Sequence, residues 1–181
     1  MIISGIASLY ASLVLSVEAW QLASDSAANF GCDVNEVISC STVAQSPQAQ
    51  VLGFPNAFLG ILFSTVILAI SIALLGNVRF PRWYMLGAQA FYTVGLFFAL
   101  WLFIQSFFVI HVLCPWCLLV FATIVLTWVA LARLNTRDGT MPLPRWCHSV
   151  ISQGLDWVIV GLFFFVVAAA IVARYGIDLV S

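Results

Sequence analysis

Apolar residues fall in long unbroken stretches along this chain, separated by short polar segments. Five stretches are long enough to cross a bilayer: residues 2–23, 57–75, 84–110, 114–134 and 155–173. The second has 19 residues, roughly 28 Å of helix against a hydrocarbon core of about 30 Å. None alternates with a period of two, so membrane strands are not indicated. A backbone inside lipid must satisfy its own polar groups, which makes each stretch a helix. The pattern predicts an all-α membrane protein with five transmembrane helices.

Composition supports this. Charged residues are 7% and hydrophobic residues 64% of the 181. A soluble domain of this size cannot hide so much apolar surface. There is no lysine and the net charge is −1, so nothing supports nucleic-acid binding. The first stretch lacks a basic leader and a small-residue cleavage site, so it reads as a retained span.

The polar links set an orientation. Links 76–83 and 135–154 share a side and hold Arg79, Arg82, Arg137 and Arg145, with Arg133 at the adjoining end of the fourth stretch, five of the six arginines in all. The positive-inside rule places them in the cytoplasm. The first loop, 24–56, has Asp25, Asp33 and Glu36 but no basic residue, so it is expected outside. The turn 111–113 falls on that side too, with His111 as an interfacial polar residue. The expected location is the plasma (inner) membrane, multi-pass, with a cytoplasmic N-terminus. Within the first loop, 40–52 reads as a half-helix in the interface, ended by Gly53 and Pro55.

Five cysteines complete the pattern. Cys32 and Cys40 lie in the outer loop, and Cys114 and Cys117 lie where the fourth span begins. Charge and cysteine position are independent, yet both put four sulfurs on the oxidising side, where disulfides persist. Cys147 falls in the cytoplasmic link and reads as a free thiol. Cys114-Pro115-Trp116-Cys117 opens a helix. Its spacing sets both sulfurs on one face, and Pro115 suits the first helical position. Free N–H groups at that end favour a thiolate at Cys114, as an exchanging thiol requires. Two other readings fit the same residues. Structural disulfides are one, though a C-x-x-C bridge closes too small a loop to be a good staple. A Cys₄ zinc site is the other, but supporting polar residues are lacking around the helix start. No metal is therefore expected.

At these residues the chain resembles the vitamin K epoxide reductase family, in its bacterial, actinobacterial-like branch. The matching features are Cys32-Asp33-Val34-Asn35-Glu36-Val37-Ile38-Ser39-Cys40, then Ser46, then Asn56-Ala57-Phe58-Leu59-Gly60, then the C-x-x-C. The resemblance implies a four-helix catalytic core over 1–134, including loop 24–56, with 135–181 as a link plus a fifth helix. It implies Cys114–Cys117 as the active-site pair beside a quinone, menaquinone or ubiquinone, and Cys32–Cys40 as the shuttle pair. Asn56 would hydrogen-bond a quinone carbonyl, and Ser46 would sit against the site. Some bacterial relatives carry a fused thioredoxin-like domain after the fifth span. This chain stops at Ser181, so its partner is expected to be a separate DsbA-like thioredoxin-fold protein. Vertebrate members carry a tyrosine four residues after the second active-site cysteine, where this chain has Phe121. Quinone reduction is thus a better fit than epoxide reduction.

The expected function is a quinone-dependent thiol oxidase supporting oxidative protein folding, with electrons passing from Cys32/Cys40 to Cys114/Cys117 to quinone. Phe54, Phe58, Trp116 and Phe121 are candidate walls of the quinone pocket. Two alternatives are a DsbB-type quinone reductase of different layout and a scaffold braced by structural disulfides. Asn56 has an alternative role as the cap of the second span.

Overall fold

A computed structural model describes residues 1–25, 30–35, 37–141, 151 and 153–176. Arg145, Cys147 and Glu36, to which the sequence assigns roles, lie outside the described residues. Five helices are long and apolar enough to span a membrane. They are α1 (Ile2–Ser24), α3 (Ala57–Leu75), α4 (Arg82–Gln105), α5 (Pro115–Arg137) and α6 (Leu155–Tyr175), with a short α2 (Cys40–Gln45) in the first loop. Among the described residues there is no strand, only a single parallel bridge between Ile38 and Leu113.

Small residues let the helices close up, as lipid-embedded packing requires. A Cβ at Gly60 of α3 would collide with Ser12 Oγ of α1, and one at Gly95 of α4 would strike the Phe63 ring of α3. Hydroxyls and amides then tie helix to helix. Ser64 Oγ sits 2.9 Å from Ser8 Oγ, Ser4 Oγ 2.9 Å from Thr127 Oγ1, and Trp128 Nε1 donates to Thr93 Oγ1 at 2.9 Å. These bonds join α1, α3, α4 and α5 into a four-helix core. Ile67, Ile70, Met85, Tyr92 and Leu131 are its buried centre.

Helix α6 lies outside that core. Only Val160 and Tyr175 are buried along it. It is fastened at both ends. Arg133 of α5 pairs with Asp156 at 2.9 Å and lies over the Trp157 ring, and the Tyr175 hydroxyl donates to Phe107 O at 2.9 Å.

Two elements differ from the sequence reading. The third span is α-helical only to Gln105 and continues as a π-helical turn over Ser106–Ile110, stopped by His111 at φ 60°. The widened turn redirects the chain toward Cys114. The half-helix expected over 40–52 is two pieces, α2 and a 3₁₀ turn over Pro47–Gln50. Pro47 has no N–H to continue α2. Gly53 does close the segment, at φ 80°, a conformation that disfavours any other residue.

Candidate redox site

Asp33 builds the loop that carries the first two cysteines. Its Oδ2 accepts from the Phe30 N–H at 2.8 Å, and its Oδ1 from the Ser41 N–H at 3.0 Å and the Ser39 hydroxyl at 2.7 Å. Partial burial pushes its carboxyl up, but these donors together outweigh that and bring its pKa down to about 2. Asn35 Oδ1 accepts from the Val37 and Ile38 N–H groups at 3.1 and 2.8 Å, a side-chain turn. Ser39 caps α2, accepting from the Thr42 N–H at 3.2 Å. Cys40 therefore sits at a fixed helix start, and a disulfide joins it to Cys32.

Backbone pairing brings the second pair to the first. Leu113 N–H donates to Val37 O at 2.8 Å, and Ser39 N–H donates to Leu113 O at 3.2 Å. Cys40 and Cys114 each directly follow a paired residue, so the clamp sets their register. Cys114 Sγ lies 3.3 Å from Cys40 Sγ. Three sulfurs thus form one cluster, with Cys40 and Cys114 fully buried and Cys32 nearly so.

Cys114 is the N-cap of α5 and Pro115 its first residue. The Cys117 N–H donates to Cys114 Sγ at 3.3 Å, a contact that favours the thiolate over the thiol. Both Cys114 and Cys117 are free, and Cys117 is the exposed one. Its exposure is to an internal space: Cys117, Cys114, Cys40, Ser46, Asn56 and Phe121 all line one cavity among α1, α3, α4 and α5. The cavity encloses about 160 Å³ and its walls are mostly carbon. One apolar space therefore reaches both the inner pair and the loop pair.

The expected polar residues are both there. Ser46 spends its proton on Val43 O at 2.7 Å, leaving an oxygen that can only accept. Asn56 does not cap α3 through its side chain. Instead Nδ2 donates to Gln48 O at 2.7 Å, and its backbone N–H donates to Ala49 O at 2.8 Å. That fixes the amide. Its Oδ1 is buried with no partner among the described residues, and Nδ2 keeps a second N–H. A buried unpaired amide oxygen is costly, so this cavity wall is chemically prepared for a polar guest.

Of the four aromatic walls expected, only Phe121 lines the cavity. It is 4% exposed and stacks on Phe103 with ring centroids 5.1 Å apart. Phe54 and Phe58 face outward, 39% and 42% exposed, and Trp116 packs on Tyr10 instead. Phe63, Phe98 and Phe103 form the remaining aromatic walls. Nothing in their spacing separates them from packing residues, so sequence reasoning missed them. It also missed Glu18, the sole acid in α1, whose carboxylate lies 3.7 Å from Cys32 Sγ. An ionisable residue within an apolar span was the available signal.

Comparison with curated proteins returned no match. The sequence profile of the vitamin K epoxide reductase family matches residues 1–133, a stretch that ends before α6.

Proposed function

The chain belongs to the vitamin K epoxide reductase family, a membrane thiol/disulfide oxidoreductase class, and on that premise we propose that it oxidises the dithiol of a separate, DsbA-like thioredoxin-fold protein and delivers the electrons to a membrane quinone. The observation that carries this reading is the 3.3 Å between Cys114 Sγ and Cys40 Sγ, because sulfurs at contact distance exchange disulfides by direct attack.

The partner thiolate opens the Cys32–Cys40 disulfide and leaves oxidised. Cys40 thiolate attacks Cys114 of the oxidised inner pair, a Cys40–Cys114 bond forms, and Cys117 leaves as a thiolate facing the cavity. Cys32 attacks Cys40, restores the loop disulfide, and releases Cys114 with the electron pair. In the structure the loop pair is joined and both inner sulfurs are free. A bound quinone supplies a two-electron, two-proton acceptor. Cys114 and Cys117 then rejoin as they give up the pair. Asn56 would hold the acceptor through its free N–H, and Phe63, Phe103 and Phe121 would exclude water. Phe121 has no hydroxyl where vertebrate members carry tyrosine, which favours plain quinone reduction over epoxide reduction.

Purified protein mixed with a reduced thioredoxin-fold substrate and a soluble quinone tests the reading. Quinone should disappear in step with substrate thiols. Cys117→Ala should abolish this, by at least about a hundredfold, while Cys114→Ala should leave a lone cavity-facing thiolate. Normal turnover by Cys117→Ala would remove the inner pair from the mechanism.

A further inference from the structure

Glu18 is placed for a task that the four cysteines cannot perform alone. Its carboxylate oxygens lie 3.7 and 4.0 Å from Cys32 Sγ. The carboxylate and the Cys32 and Cys40 sulfurs all fall within 4.8 Å of one another. Among the described residues no cation pairs with it. A carboxylate on an apolar helix is expensive to keep there without a function. In the joined disulfide Cys32 has no proton to share. Once reduced, its thiol meets an acceptor at the distance of a sulfur hydrogen bond.

We infer that Glu18 is the base that deprotonates Cys32 when Cys32 resolves the Cys40–Cys114 bridge. This rests on the relay proposed above. The Cys32 proton moves to the Glu18 carboxylate, leaving a thiolate. That thiolate forms the Cys32–Cys40 bond, the Cys40–Cys114 bond breaks, and the electron pair departs on Cys114 Sγ. Glu18 then returns the proton to solvent. No outside oxidant or reductant is needed, since the exchange only moves the pair from the loop to the inner cysteines. Glu18 touches a reacting atom and so counts as a catalytic residue. The titratable groups facing it are Cys32 and Cys40 when reduced, Asp33 from the loop, and Cys114 and Cys117 at the start of α5.

The test compares the full-length native chain with Glu18→Gln, which keeps size and shape, and Glu18→Asp, which keeps the charge. Each is turned over with a reduced thioredoxin-fold dithiol and quinone, quenched with acid and alkylated, and its bridges are read by mass spectrometry. Glu18→Gln should slow oxidation about a hundredfold at pH 7 and accumulate the Cys40–Cys114 bridge. Its rate should climb about tenfold per pH unit as Cys32 ionises unaided. Glu18→Asp should fall between the two. Native rate in Glu18→Gln, or a slow rate that is flat with pH and without the bridge, overturns the assignment and leaves the relay standing. No turnover in the native chain overturns the relay and this assignment with it.

Discussion

Asp33 shows how much one side chain arranges here. Its two oxygens gather donors from Phe30, Ser39 and Ser41 on both sides of the disulfide. Its pKa is depressed from 3.8 to about 2, so the sign of the linkage is fixed. The ionised carboxylate stabilises the loop above pH 4, and that contribution is lost as pH falls from about 4 toward 2. Asp33→Asn should therefore speed hydrogen exchange at the Phe30 and Ser41 amides at neutral pH, by about tenfold for a lost charged hydrogen bond. It should also remove the loss of protection on acidification, measured relative to the intrinsic exchange rate at each pH. An unchanged exchange rate would mean that the disulfide alone holds the loop. In the sequence Asp33 reads only as an acid of the outer loop, and Asn35 only as part of the Cys32–Cys40 motif. Their specific partners are not legible there, because such a residue does not reveal which of several nearby amides it will reach.

Among the elements, the clamp between 37–39 and Leu113 matters most for chemistry. It is only one bridge long, yet it aligns a helix start with a second helix start. α2 and α5 each begin beside it, and each carries a reactive sulfur at or next to its cap. Leu113→Pro removes the N–H that binds Val37 O. The loss of one hydrogen bond, about 1 kcal/mol, should lower the yield of a trapped Cys40–Cys114 bridge about fivefold. The yield is measured by oxidising a Cys32→Ala, Cys117→Ala chain with and without that change. Equal yields would show that helix packing alone sets the sulfur spacing. The caps themselves follow from local sequence, Ser39 before one helix and Pro115 at the first position of the other. The pairing does not, since neither segment has strand-like alternation and the two are far apart in the chain.

For the molecule as a whole, the arginines and cysteines among the described residues sort to opposite ends of the bundle. Arg82 reaches Thr140 O and Arg133 holds Asp156 at one end, while the sulfur cluster sits at the other. Arg174 is the exception, lying over Phe107 near the sulfur end. By the positive-inside rule the sulfur end should be extracytoplasmic. Val34→Cys and Val78→Cys, at exposed positions in the first and second links, check this in intact cells with a membrane-impermeant thiol reagent. Val34→Cys should label and Val78→Cys should not. Label at Val78→Cys alone would invert the orientation and place the partner in the cytoplasm. Helix α6 is held by contacts at its two ends and, between them, packs Phe163 and Phe164 against the cluster that includes the cavity wall Phe121.

The five spans were decided by sequence alone, because a backbone in lipid has no other way to satisfy its polar groups and a run of apolar residues declares its own length. The C-x-x-C was legible for a similar reason, because a cap and a helix-opening proline act within a few residues, whereas Ser46, Asn56 and the roles of the loop pair came only from the family resemblance. Only the tertiary structure decided which sulfurs touch, which aromatic rings wall the cavity, and that Glu18 faces Cys32. Those facts depend on how helices rotate and cross, which is set by small-residue contacts such as Gly60 on Ser12 and by a backbone bridge between distant segments. A linear pattern fixes how far each helix extends, but its angular position in the bundle depends on its neighbours.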